Sequence, residues 1–231
     1  MMPAVSRPHP TLRGGVGTRF ASLIAALFLY GWGELLTVRA DVGLGPWDVL
    51  HKAISDHTGL SFGAAVVAVS FAVLALAAVL GQRPGIGTLM NAIIVGSSFA
   101  LFDWLNLAPH LHGGVGGVVL DIAGIAVIGL ASALYIGASF GAGPRDSLML
   151  AIVHRGPRIA VANWAIQISA LALGFALGGP VGIGTVLFAL GLGPFMEGSY
   201  VVLERLGVTQ PVDASAATLE VTLPVEPREQ P

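Results

Sequence analysis

Apolar residues in this chain gather into long, nearly unbroken runs separated by short polar stretches. A bilayer core of about 30 Å needs roughly 20 helical residues to cross it. Six runs approach that length, at 20–38, 62–80, 88–107, 118–136, 160–177 and 185–206. The second and fifth hold no charged residue, whereas Asp103 interrupts the third and Glu197 the sixth. The pattern predicts an all-α fold, a polytopic membrane helix bundle of about six transmembrane helices. Its first partner is then a lipid bilayer.

Composition supports this. Hydrophobic residues make up 55% of the 231 and charged residues 10%, where a soluble domain carries about 25% charged. Mean hydropathy is +0.82. A net charge of −2 argues against nucleic acid, because neutralising phosphates needs clustered Lys and Arg. The absence of cysteine excludes disulfides, thiolate metal sites and thiol nucleophiles. Glycine, at 32 residues, points to close helix packing and interrupted helices.

Cationic side chains set the orientation. With six spans and a cytoplasmic N-terminus, nine cations fall inside: Arg7, Arg13, Arg19, Arg83, Arg145, Arg155, Arg158, Arg205 and Arg228. Only Arg39 and Lys52 fall outside. Both termini are therefore expected in the cytoplasm. The chain divides into a basic N-terminal segment at 1–18, membrane segments at 19–109 and 110–206, and a disordered cytoplasmic tail at 207–231.

The two membrane segments read as copies of one another. Gly43-Leu44-Gly45-Pro46-Trp47-Asp48-Val49-Leu50 matches Gly141-Ala142-Gly143-Pro144-Arg145-Asp146-Ser147-Leu148 at an offset of 98. Gly85-Ile86-Gly87-Thr88 matches Gly182-Ile183-Gly184-Thr185 at an offset of 97. Two pairs in the same order and register indicate a duplication. The first apolar run, with Arg13 and Arg19 ahead of it, has the look of a signal peptide. Its counterpart lies mid-chain, however, so it is read as part of the fold. Three crossings per copy make the second copy enter from the opposite face, the inverted repeat of many secondary transporters. Residues 48–57 are too polar and short to cross, and the short segment after the motif is read as a re-entrant or interfacial helix in each copy.

Two readings of the G-x-G-P-x-D motif stand side by side. Its glycines permit a turn at positive φ, its proline suits the first helical turn, and Asp48 or Asp146 offsets the helix dipole. That alone makes a well-capped short helix. Alternatively Gly43, Gly45, Pro46, Asp48, Gly141, Gly143, Pro144, Arg145 and Asp146 build a solute or ion site, since irregular backbone at membrane depth lines cavities. Arg145 stands where the first copy has Trp47, so the copies are not functionally equivalent. In G-I-G-T, Thr88 and Thr185 are placed as N-caps, and the amides of Gly85, Gly87, Gly182 and Gly184 could also hold an anion.

Charge inside a membrane span costs at least about 2.5 kcal/mol and marks function. Glu197, behind Gly193 and Pro194, is the leading candidate for an ion-coupled carboxylate. Asp103 is a second candidate, although it and Glu34 lie near the ends of their spans. Asn163 and Gln167 share a helical face and suit interhelical hydrogen bonding. Three patterns carry little. Gly137 to Gly141 spells G-x-S-x-G at the end of a span, without the strand-to-helix turn that a nucleophile elbow needs. His110 and His112 lack a third metal ligand. The pairs Gly137 with Gly141 and Gly174 with Gly178 read as packing faces.

Several of these strings carry a resemblance. G-L-G-P-W-D-V-L-H at 43–51, G-Q-R-P-G-I-G-T at 81–88 and G-A-G-P-R-D-S-L-M at 141–149 resemble the YczE/YyaS/YitT group of bacterial membrane proteins. Asp103 and the motif at 182–185 fit the same pattern. The resemblance spans roughly 20–206 and implies a bacterial cytoplasmic membrane location, with no mechanism attached.

The expected function is transport or export of a small solute or ion through a site between inverted copies. A non-transporting regulator or scaffold is the alternative, working as a homo-oligomer or with a membrane protein partner. No enzyme activity, no cofactor and no metal is expected.

Overall fold

The computed structural model describes residues 10–82, 84–141 and 143–210. The sequence expectations for 1–9 and 211–231 lie outside the described residues. All long elements are helices: α1 (Val16–Ala40), α2 (Pro46–Thr58), α3 (Phe62–Val79), α4 (Ile86–Trp104), α5 (Gly114–Ala138), α6 (Pro144–Val153), α7 (Ile159–Ala176) and α8 (Ile183–Arg205). The only strands among the described residues are β1 (Thr11–Leu12) and β2 (Thr209–Gln210), paired antiparallel. Residues 209–210 are thus paired with residues 11–12.

Local chemistry sets the boundaries. Pro46 and Pro144 open α2 and α6 at their first turns, where a missing N–H costs nothing. The Ser61 hydroxyl caps α3 by accepting from the Ala64 amide at 3.3 Å. Gly59, at φ 73°, ends α2 in a left-handed turn. At 1.5 Å per residue, α2 and α6 reach about 20 Å and about 15 Å, short of a bilayer core.

Among the described residues five helices are long and apolar enough to cross a membrane: α1, α3, α4, α5 and α8. The sixth predicted span, α7, carries a shorter apolar run, Val161–Ala176. Large apolar side chains such as Val79, Trp104, Phe175 and Leu190 point outward. In water such a surface would aggregate, whereas in a bilayer it faces lipid.

The centre is an antiparallel pair, α1 against α5. Glycines permit the close approach: a Cβ at Gly33 would sit 2.7 Å from Ile128 Cγ1, and one at Gly124 would sit 2.7 Å from Thr37 Cγ2. α4 packs on α1, and α8 on α5. The short helices cross over, α2 packing on α7 and α6 on α3. One pairing breaks this correspondence. α3 and α4 pack together, with Gly63 and Gly96 backbone to backbone, while α7 and α8 barely meet.

Candidate functional site: a charged cavity at the centre of the bundle

The four glycine motifs build the frame of the site by pairing crosswise. Gly43 and Gly141 adopt φ of 107° and 129°, which only glycine holds without strain. Each resulting turn packs on the G-I-G-T helix start of the other half. The Gly184 amide donates to the Val42 carbonyl at 2.8 Å, and the Gly87 amide donates to the Phe140 carbonyl at 3.0 Å. A Cβ at Gly87 would lie 2.8 Å from that same Phe140 oxygen.

This geometry corrects the reading of the threonines. The N-cap positions belong to Gly85 and Gly182, and Thr88 and Thr185 stand at N3. Each threonine hydroxyl accepts from the amide of its N-cap glycine at 3.2 Å. The amides of Gly85, Gly87, Gly182 and Gly184 are therefore all used within the protein, which removes the anion-binding reading.

The turns deliver the first residues of α2 and α6 to a central cavity of about 150 Å³. An engineered apolar cavity of that volume takes up benzene, so the space suits a molecule of a few heavy atoms. Its charged lining comes from both halves of the chain: Glu34 of α1, His51 of α2, and Arg145 and Asp146 of α6. Asp48 stands behind, buried, with its Oδ1 hydrogen-bonded to His51 Nδ1 at 3.1 Å. The Tyr135 hydroxyl donates to Asp146 Oδ2 at 2.7 Å. Arg145 places its guanidinium 5.1 Å from the centre of the Trp47 ring, and its Nη2 lies 3.8 Å from Glu34 Oε1.

Among the sequence candidates, Gly143, Pro144, Arg145 and Asp146 line the cavity. Gly43, Gly45, Pro46, Asp48 and Gly141 frame it. Glu197 does not take part: it lies exposed on α8, on the side that α5, packed against Phe195 and Met196, leaves uncovered. Asp103 is also remote. It forms an ion pair with Arg39 at 2.8 Å, in a cluster where Arg39 also donates to Asn106 Oδ1 and to the Ala108 carbonyl. Glu34 corrects a third expectation. Instead of reaching water it is 1% exposed, because α1 continues to Ala40 and α5 covers that face. Asn163 and Gln167, read as interhelical links, line the cavity too. Tyr30, Asn91 and Tyr135 were not singled out. Each is a polar residue inside an apolar run, the one signal that could have found them.

A helical bundle with an apolar exterior and a charged interior is an integral membrane protein. Residues 17–199 match a family of unknown function, DUF6198, and the chain belongs to it. It is 36% identical over 185 residues to an uncharacterized protein of Haemophilus influenzae, covering 80% of this chain and 84% of that one. It is 29% identical over 175 residues to the uncharacterized membrane protein YczE of Bacillus subtilis, covering 74% and 80%. A third relative, the uncharacterized protein YyaS of Bacillus subtilis, is 29% identical over 166 residues, covering 70% and 82%. No solved structure matches.

Proposed function

We propose that the protein is a small-solute transporter of the bacterial cytoplasmic membrane, working without catalysis through a site between two inverted halves. The observation that carries this reading is the central cavity, whose facing charges, Glu34 and Arg145, come from different halves of the chain. Buried charge is expensive in a membrane and persists where it serves a ligand or ion path.

Helix bounds support the duplication. α5, α6, α7 and α8 start 98, 98, 97 and 97 residues after α1, α2, α3 and α4. The crosswise packing of α2 on α7 and α6 on α3 fits two halves related by a two-fold axis in the membrane plane. With α7 as a sixth crossing, the positive-inside count puts both termini in the cytoplasm. The β1–β2 pairing, which brings both ends of the bundle together, accords with that.

The break in symmetry suggests how the site opens. A Cβ at Gly96 would run into the Gly63 carbonyl, whereas nothing lies within 4 Å of one at its counterpart, Gly193. The α3–α4 side is shut and the α7–α8 side is apart. Exchange of these two arrangements would present the cavity to the opposite face, which is alternating access. The test is solute-driven current across liposomes containing the purified protein. Currents lost in Glu34→Gln and Arg145→Gln, but kept in Glu197→Gln, are expected. A folded protein that moves none of a broad panel of solutes contradicts transport.

A second reading rests on α8. Its outward face, with Val186, Leu190, Glu197 and Val201 exposed, is broad enough to seat another membrane helix. A non-transporting regulator or scaffold would use that face. Recovery of one stoichiometric partner, lost on substitution of this face, favours it.

A further inference from the structure

We propose that the central cavity takes a small organic cation bearing N–H donors, an ammonium with a short apolar substituent. The proposal rests on reading this cavity as the solute site and adds the class of solute.

The argument begins with hydrogen-bond valence. Glu34 is 1% exposed, and its Oε2 has no hydrogen-bond partner. Gln167 Oε1, which α7 brings to the same cavity, is also buried and without a partner. Buried polar atoms are almost always paired, so two idle acceptors in one cavity mark a place for a donor. Two of the donors beside them are already directed elsewhere. Arg145 is held between Glu34 and the Trp47 face, and the Tyr135 hydroxyl is given to Asp146.

Charge gives the same answer. Three carboxylates, Glu34, Asp48 and Asp146, meet one guanidinium, Arg145, and one imidazole, His51. With every group ionised the cluster carries a net negative charge. A carboxylate left uncompensated in a dry interior is costly, and an added cation relieves that cost. An anion would have to displace Glu34 from Arg145 and would leave all three carboxylates opposed.

The remaining walls decide between a metal ion and an organic cation. Among the described residues no three His, Asp or Glu side chains gather to chelate an ion. The cavity is instead faced by Val66, Val69, Val73, Val95, Ile136 and Ile166. These reward an apolar substituent, and the ring of Tyr30 adds a π face that attracts cations. About 150 Å³ limits the solute to roughly the size of benzene.

The test is binding, read separately from transport. Purified full-length protein in lipid nanodiscs is titrated with isobutylammonium and guanidinium, and in parallel with isobutyrate and acetate, following thermal unfolding and tryptophan fluorescence. The expected result is saturable stabilisation by isobutylammonium and none by isobutyrate. Glu34→Gln weakens it roughly tenfold to a hundredfold, the range for losing a charged hydrogen-bond partner. Should Glu34→Gln fold poorly, Gln167→Leu is the second variant, with a loss of about threefold to tenfold. Glu197→Gln, exposed on α8, leaves binding unchanged. Saturable binding of isobutyrate that depends on Arg145 overturns the cation class and leaves the transport reading standing. Absence of any response to the ammonium series in folded protein overturns the proposal. Loss of binding together with solute-driven current that ignores Glu34 and Arg145 removes the cavity from the transport reading as well.

Discussion

Arg145 lies over the ring of Trp47, 5.1 Å from its centre, and these two residues hold the same place in two G-x-G-P-x-D strings 98 positions apart. The turn that opens α2 and the turn that opens α6 therefore meet at the middle of the bundle. Where one half supplies an aromatic face, the other supplies the charge that rests on it. Glu34, 3.8 Å from the same guanidinium, completes a three-residue contact between halves.

Removing that charge should cost more than the contact itself. Arg145→Leu leaves Glu34 buried and uncompensated, with an expected loss of up to about 3–5 kcal/mol of stability. Pairing it with Glu34→Gln should restore most of the loss. Thermal unfolding in nanodiscs checks both, and a stable single variant contradicts the coupling.

The two helix-start threonines should behave alike. Thr88→Val and Thr185→Val each remove one bond of the capping box, for about 1 kcal/mol. Because these hydroxyls cap and touch no solute, binding of isobutylammonium should survive either change. Titration of the two variants decides this.

Gly96 and Gly193 make a contrasting pair. Gly96→Ala drives a methyl into the backbone of α3 and should cost about 1–3 kcal/mol. Gly193→Ala meets open space, and should be neutral or gain up to about 1 kcal/mol from helix propensity. Equal costs by thermal unfolding would mean that α7 and α8 are packed together.

At the far end of α4, Asp103 is half exposed, so its ion pair with Arg39 is worth about 1 kcal/mol at most. Arg39→Ala should cost more than Asp103→Ala, because Arg39 also binds Asn106 and the Ala108 carbonyl. Neither change should alter solute-driven current. Comparing the two variants for stability and current checks this.

Much of the architecture was legible from pattern. Long apolar runs announced the helices, and the proline and glycine motifs marked where α2, α4, α6 and α8 begin. Asp48, Arg145 and Asp146 were found because they sit in repeated motifs. Glu34 and Gln167 were read in other roles and Tyr30 was not singled out, because nothing local in a helix tells which side will be covered, and α5 and α6 reach Glu34 from about a hundred residues away. Glu197 misled for the same reason: its depth in a run suggested burial, but it lies on the side of α8 that α5 leaves uncovered. The α7–α8 separation has no sequence signal, since Gly96 and Gly193 look alike until their neighbours are placed.

Inversion of the two halves is the claim on which transport rests, and a chain without cysteine allows it to be tested directly. Asp56, at the end of α2, and His154, just past α6, occupy matching positions 98 residues apart, and both are exposed. Each is replaced by cysteine in turn, and intact cells are treated with a membrane-impermeant thiol reagent. Labelling at 56 in intact cells, and at 154 only once cells are opened, is the predicted result. Labelling of both positions from the same side would make the halves parallel and contradict the account.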